Sequence, residues 1–367
     1  MYTTPRFSHT VGCLSNLDFL PLQLSAMIQL LRKIKRSIIT TRDTIIERTR
    51  MFIFGTDERY SWIQWRILKS TYKFFSFAPA HPSRVIVYMV PNTEYAGLAD
   101  RFRTFVNSYI IAQENKRKLF IYHNIGFRLE KYLMPHLVDW LIEPKDINWG
   151  LNRVSFLWFN ENCPVLKHKK KEYHAYSLYH NIITSLTPEQ QAKYSFQGVF
   201  NTLFTPSQHL QALIANAMKN AGLTENQFIA FHLRFLNFFE PVEPDKTEKD
   251  VTGTPEMQAH MIKNVHDTIE RIYQKSNCQH VLLLSDSNRF LQAPHPEYIK
   301  ILPGIVGHVI RHNENDTITD KAFTDFFVMS KAKEVYSITG DYIYGGGFSM
   351  TAALIQNKPF HQIPLES

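Results

Sequence analysis

The sequence predicts an α/β protein built on doubly wound parallel sheets, preceded by a helical segment. Three observations carry this. Residues 84–124 read as a β-loop-α-β unit. From residue 228 onward, short apolar strands and helical periods alternate repeatedly. The chain has 367 residues, enough for two domains at roughly 100–200 residues each.

The elements follow in order. Leu14 to Arg50 is Leu- and Ile-rich among basic residues, a basic amphipathic helix or pair of helices. Tyr60–Phe77 is strongly aromatic, and its rings belong either in a core or on a membrane. His81-Pro82-Ser83 reads as a linker. RVIVYMV (84–90) is a strand, 98–115 a helix carrying Leu98, Phe102, Phe105, Val106, Tyr109 and Ile110 at helical spacing, and KLFIYHN (118–124) a strand. Residues 125–205 show no readable pattern, and a helix is expected at about 206–221. Strands are expected at 228–235, 280–287, 298–304, 335–339 and 359–363. Helices are expected at 254–275, 320–334 and 348–357, with a short one after Ser287. The domain boundaries implied are 1–83, 84–222 and 223–367.

The net charge is +8, which invites a nucleic-acid reading. Its location argues otherwise. Residues 1–50 hold eight Lys/Arg and three acids, so +5 of the +8 sits there. The remaining body is nearly neutral, and no aromatic-basic RNA motif occurs. For residues 14–50 an anionic membrane surface is a better partner than nucleic acid, the other reading being a solvated helix packed on the main body. Three widely spaced cysteines, Cys13, Cys163 and Cys278, give neither a disulfide framework nor a zinc pattern. There is no apolar run of transmembrane length and no signal-peptide layout. The expectation is a cytoplasmic protein, peripheral on the inner face of the membrane.

Ligands bind beyond the carboxyl ends of parallel strands, so the residues there are the candidates. In 228–235, His232 and Arg234 share a face opposite Ile229, Phe231, Leu233 and Phe235. An arginine at the end of a buried strand needs an anion, and guanidinium pairs bidentately with phosphate or carboxylate. Gly345-Gly346-Gly347-Phe348-Ser349-Met350-Thr351 opens a helix, where free N–H groups and the positive dipole end attract anions and Ser349 is placed to cap. Ser285-Asp286-Ser287 ends another strand. Asp286 there either meets a ribose or base or joins Ser287 in capping the next helix, the commoner role. Asn92 to Gly97 follows the first strand and includes Glu94, a candidate general base or a plain surface acid. No Asp-x-Asp occurs; the nearest pattern, Glu243-Pro244-Asp245, sits in a polar loop.

In order and spacing, these segments resemble the fucosyltransferase-like enzymes of GT-B fold, including bacterial glycan-modifying and nodulation-type members. The matching residues are Gly97-Leu98-Ala99-Asp100-Arg101, His232-Leu233-Arg234, Ser285-Asp286-Ser287, Asp325-Phe326 with Ser330-Lys331-Ala332, Gly347 to Ala353, and Asn357-Lys358-Pro359-Phe360. The resemblance covers about 84–363. It departs where many relatives carry His-x-Arg-x-Gly-Asp, since Phe235-Leu236-Asn237 follow Arg234 here.

The resemblance implies two Rossmann-like domains facing a cleft, and transfer of a sugar from a GDP-linked donor, fucose being usual, to a glycan hydroxyl. Transfer proceeds with inversion and without an obligatory metal or cofactor. By resemblance Arg234 binds the pyrophosphate and His232 orients it or meets the nucleotide. Gly347, Phe348, Ser349, Met350 and Thr351 hold the phosphates. Asp286, with Ser287, recognises guanine or ribose, and Asp325 supports the site. Asn92, Gly97 and Arg101 line the acceptor side, and Glu94 is the base, with Glu240 its rival. The other reading is a degenerate transferase that binds a nucleotide sugar or glycan without turning it over.

Overall fold

The computed structural model describes residues 58–79, 81–90, 97–123, 125–158, 164–166, 170–176, 181–241, 252–307 and 316–365. The basic amphipathic segment, Asn92, Glu94 and the 243–245 loop lie outside the described residues. The chain forms two compact units, Met1–Ser70 and Thr71–Ser367. Helix α1 (Glu58–Thr71) is the described element at the end of the first. No helix among the described residues is long and apolar enough to cross a membrane.

The second unit begins with β1 (Val85–Met89), α2 (Leu98–Glu114) and β2 (Lys118–Tyr122). After β3 (Leu133–Pro135) come β4 (Val154–Trp158) and β5 (Glu172–Tyr176). Then follow α3 (Pro188–Lys193), α4 (Phe196–Leu203), β6 (Phe204–Pro206) and α5 (Gln208–Ala221). The first sheet runs β2-β1-β5-β4 with every pair parallel; β3 and β6 pair separately and antiparallel. All five residues of β1 are buried, as both faces of a covered parallel sheet require.

The second sheet contains β7 (Phe228–Leu233), β8 (His280–Ser285), β9 (Ile299–Lys300), β10 (Val335–Thr339) and β11 (Phe360–Pro364). Its helices are α6 (Pro255–Ser276), α7 (Asn288–Leu291), α8 (Asp316–Met329) and α9 (Gly347–Ile355). The strands are parallel in the order β11-β10-β7-β8-β9. Numbered from β7 as the first, this is the 3-2-1-4-5 order of a Rossmann-like sheet. The unit therefore has the two α/β sheets of a GT-B-like chain.

The alternation read in 228–235 matches the packing. Ile229, Phe231 and Leu233 join Met261, Val265 and Ile269 of α6 in one apolar cluster. Phe228 and Ala230 face the other cluster, which takes in both sheets. In that cluster Phe102 of α2 meets Phe326 of α8 edge-on at 4.9 Å and Phe200 of α4 at 5.4 Å. Phe102 and Phe105 are fully buried, each worth about 1.5–3 kcal/mol of transfer free energy. This packing brings α2, a first-sheet helix, alongside α8 and α9 of the second.

The stretch expected to be patternless, 125–205, holds β4 and β5, a correction to the sequence reading. β5 is an interior strand, yet its sequence EYHAY carries Glu172 and His174 on one face. Both are buried because they bond to each other, and a single-residue hydropathy pattern does not register such pairing. The strand expected at 298–304 shrinks to Ile299–Lys300.

Candidate functional site

The second sheet reverses direction of growth between β7 and β10, since β9 lies at one edge and the chain returns to β7's other side. In open α/β sheets such a switch point, beyond the carboxyl ends of the two strands, is where ligands bind. Arg234 is the first residue beyond β7, and the 340–346 turn follows β10. Two bonds between Gly340 and Ile343 close this turn, and Tyr344 N–H donates to the Arg234 carbonyl at 2.8 Å. The glycine-rich start of α9 is thereby fixed beside Arg234. A Cβ placed on Gly346 would sit 3.8 Å from Arg234 Cδ.

Gly346 is the N-cap of α9, and no side chain caps the helix. Ser349, expected as the cap, is instead the third helical residue. Its Oγ is buried and finds no partner among the described residues, and the same holds for Thr351 Oγ1 and His232 Nδ1. Buried polar atoms without partners are rare and costly, and three of them belong to the two segments expected to meet the ligand. His232 packs on Phe348, ring centroids 5.2 Å apart, and Phe348 in turn meets Phe326 at 5.2 Å. Burial, reinforced by the Arg234 charge, holds the His232 imidazole down to a pKa of about 4, so it is neutral at pH 7. Met350 is half-buried on the same helix.

Asp286 supports the arginine from behind. Its carboxylate accepts from Phe235 N–H at 2.8 Å and Leu236 N–H at 3.1 Å, and lies 4.0 Å from Arg234 Nε. Burial pushes its carboxyl up to about 6 against those favourable contacts. Leu236, where many relatives carry glycine, has φ +53°, a conformation uncommon for a side chain with a Cβ. Asp286 therefore shapes the turn that presents Arg234.

Ser287 has the capping role. It accepts from Phe290 N–H at 3.1 Å and donates to Glu240 at 3.0 Å. Glu240 also accepts from Arg289 N–H at 3.0 Å, so this rival base is occupied at the start of α7. Asp325 is buried and bonded to Lys321 Nζ at 2.5 and 2.6 Å; burial raises its carboxyl to about 6, with Lys321 opposing.

The first-sheet residues divide. Gly97 is the N-cap of α2, and its N–H donates to Asp100 at 3.3 Å. Arg101, expected on the acceptor side, is 2% exposed. Its guanidinium lies 2.7 Å from His123 Nε2 and over the Phe127 ring at 5.3 Å, which is a packing position. Burial and the Arg101 charge hold His123 down to about 3.

The sequence reading missed Arg103. This α2 residue ion-pairs with Asp100, and its guanidinium lies against the first residue of α9: a Cβ on Gly347 would be 2.7 Å from Nη2. Its position in the Gly97–Arg101 helix was readable; that this helix reaches α9 was not. Two guanidinium groups, Arg234 and Arg103, thus border the positive end of one helix. A cation at the positive end of a helix is adverse in itself by about 0.3–1 kcal/mol; here Asp286 lies near Arg234 and Asp100 pairs with Arg103, and a bound anion would add to both.

No protein-family model and no curated protein matches the chain. Among solved structures it is similar to a point mutant of FUT1 from Arabidopsis thaliana in complex with GDP: 11% identity, 85% of this chain and 76% of that one, TM-score 0.46. It is similar to the alpha-1,6-fucosyltransferase NodZ of Bradyrhizobium soaked with GDP-fucose: 11% identity, 74% and 92% covered, TM-score 0.47. A third similar structure is POFUT1 in complex with GDP: 12% identity, 79% and 100% covered, TM-score 0.41. These are likenesses of fold.

Proposed function

We propose that the chain is a glycosyltransferase that moves a sugar, fucose being favoured, from a GDP-linked donor to a glycan hydroxyl. The observation that carries the reading is the junction of Arg234 with the uncapped N-terminus of α9, where three buried polar atoms have no partner among the described residues. A diphosphate supplies acceptors for such donors and neutralises the charge gathered there. The donor class follows the motif resemblance.

As the bond from the anomeric carbon to the β-phosphate oxygen breaks, negative charge grows on the leaving diphosphate. Arg234 and the α9 N–H groups stabilise that charge more in the transition state than before it. Neutral His232 packs Phe348 and stands behind Arg234. Transfer is read as inverting and metal-independent. The acceptor hydroxyl's proton goes to a base on the acceptor side, for which Glu94 is the candidate, since Glu240 is engaged at α7. Exposed Phe74, Phe75 and Phe77 (75%, 62% and 95%) favour a peripheral membrane location for glycan assembly, together with the basic segment 14–50.

The test is a panel of labelled nucleotide sugars with glycan acceptors, run with and without chelator, alongside thermal shifts by GDP, UDP and CDP. The expected result is stabilisation by GDP above the others and transfer that persists in chelator. Nucleotide binding without transfer would favour the non-catalytic form, and near-normal turnover by Arg234→Ala would sink the assignment.

A further inference from the structure

We propose that Arg103, from the first-sheet helix α2, is a second arginine of the donor site and contacts the donor's diphosphate. This rests on the donor-site reading above. Three observations carry it. A Cβ on Gly347 would lie 2.7 Å from Arg103 Nη2 and 3.1 Å from Cζ, so the guanidinium covers the first residue of α9. The side chain is only 15% exposed, and its Nε is buried with no hydrogen-bond partner among the described residues. A cation at the positive end of a helix is misplaced unless an anion is shared with it.

Asp100 does not remove the need for that anion. It ion-pairs with Arg103 Nη2 through one oxygen while the other accepts from Gly97 N–H at the start of α2. The pair fixes the direction of the guanidinium and leaves Nε–H unused. The fork geometry of arginine suits a phosphate that also meets the α9 N–H groups. Glycine at 347 is then required for closeness: any side chain there would push Arg103 away from the helix. Binding of the diphosphate joins α2 of one sheet to α9 of the other.

Calorimetric titration of inorganic pyrophosphate, GDP and guanosine into wild type, Arg103→Gln, Arg103→Lys and Gly347→Ala tests this. Arg103→Gln is expected to weaken pyrophosphate and GDP by roughly 10- to 100-fold, the range of a lost charged hydrogen bond, and to leave guanosine unchanged. Arg103→Lys, which keeps charge but not the fork, should fall between. Wild-type affinity for pyrophosphate in Arg103→Gln overturns the proposal. If that variant does not fold, Gly347→Ala carries the test, and pyrophosphate binding equal to wild type overturns it. Loss of binding in Arg234→Ala but not in Arg103→Gln or Gly347→Ala overturns this inference alone. Failure of the wild-type chain to bind pyrophosphate or GDP overturns the donor-site reading and this with it.

Discussion

Two buried histidines, one in each sheet, stand in opposite situations. His174 of β5 uses both ring nitrogens: Nε2 meets Glu172 at 2.8 Å, and Nδ1 meets the Tyr72 hydroxyl, which bonds Tyr176. Glu172 also accepts from Asn148 Nδ2 at 2.7 Å and Asn148 N–H at 3.0 Å. Burial pushes the Glu172 carboxyl up, but the bonds from His174 and Asn148 outweigh it and hold it below the usual range. His174 is held neutral by burial although Glu172 opposes. Nε2–H therefore donates to the carboxylate and Nδ1 accepts from Tyr72. His232 of β7 has a neighbouring cation instead of a carboxylate, and its Nδ1 has no partner among the described residues. The same residue type in the same kind of strand uses both ring nitrogens in one sheet and leaves Nδ1 without a partner among the described residues in the other. Satisfied buried polar groups fix structure, and an unsatisfied one calls for a partner that water or a ligand can supply.

Mutations at the two places should fail differently. Arg234→Ala is expected to lower transfer by about 10²–10³-fold, the cost of one lost transition-state donor, with an unchanged thermal midpoint. Glu172→Ala should do the reverse. It strands the His174 and Asn148 donors and should lower stability in urea unfolding by about 1–3 kcal/mol for each buried donor left unpaired, while the folded fraction keeps its pyrophosphate affinity. Equal loss of stability in both variants would erase the contrast.

A pH series sharpens it. The native pKa of His232 lies near 4, below the ordinary 6.5, so the unfolded chain takes up its proton first as pH falls. Stability present above pH 6.5 is lost from there down to 4, by about 2 kcal/mol at pH 5 for this one group. His232→Asn should lack that component. Asp286, raised to about 6, acts with the opposite sign and is common to both proteins. It therefore cancels when urea midpoints of the two are subtracted; identical pH profiles would refute the neutral, buried assignment.

The smallest effect concerns the turn that presents Arg234. Leu236→Val puts a β-branched side chain at φ +53° and should cost about 1 kcal/mol, whereas Leu236→Gly should be tolerated. Urea unfolding of both variants checks the order.

Much of the second sheet was legible in the sequence. Its strands alternate cleanly because Ile229, Phe231 and Leu233 face one cluster while Phe228 and Ala230 face another. The helix starts carry their own signals, such as Thr254 accepting from Met257 N–H. The position of Arg234 at the strand end and the glycine-rich entry to α9 were likewise legible, whereas the absence of a Ser349 cap was not, because Ser349 turns out to be the third helical residue. Ser287 was readable as a cap for the same local reason.

Other features depend on partners distant in sequence. β5 was unreadable because Glu172 and His174 become core residues only through Tyr72 and Asn148. That Arg101 is buried against His123 and Phe127 likewise depends on the fold. Arg103 faces α9, 244 positions further along by number at Gly347. The sequence by itself determined the α/β alternation and placed an arginine at a strand end and glycines at a helix start, because backbone periodicity and helix-end signals are local. Tertiary structure alone decided which buried polar groups are satisfied and which stand open, because that depends on pairing across the fold.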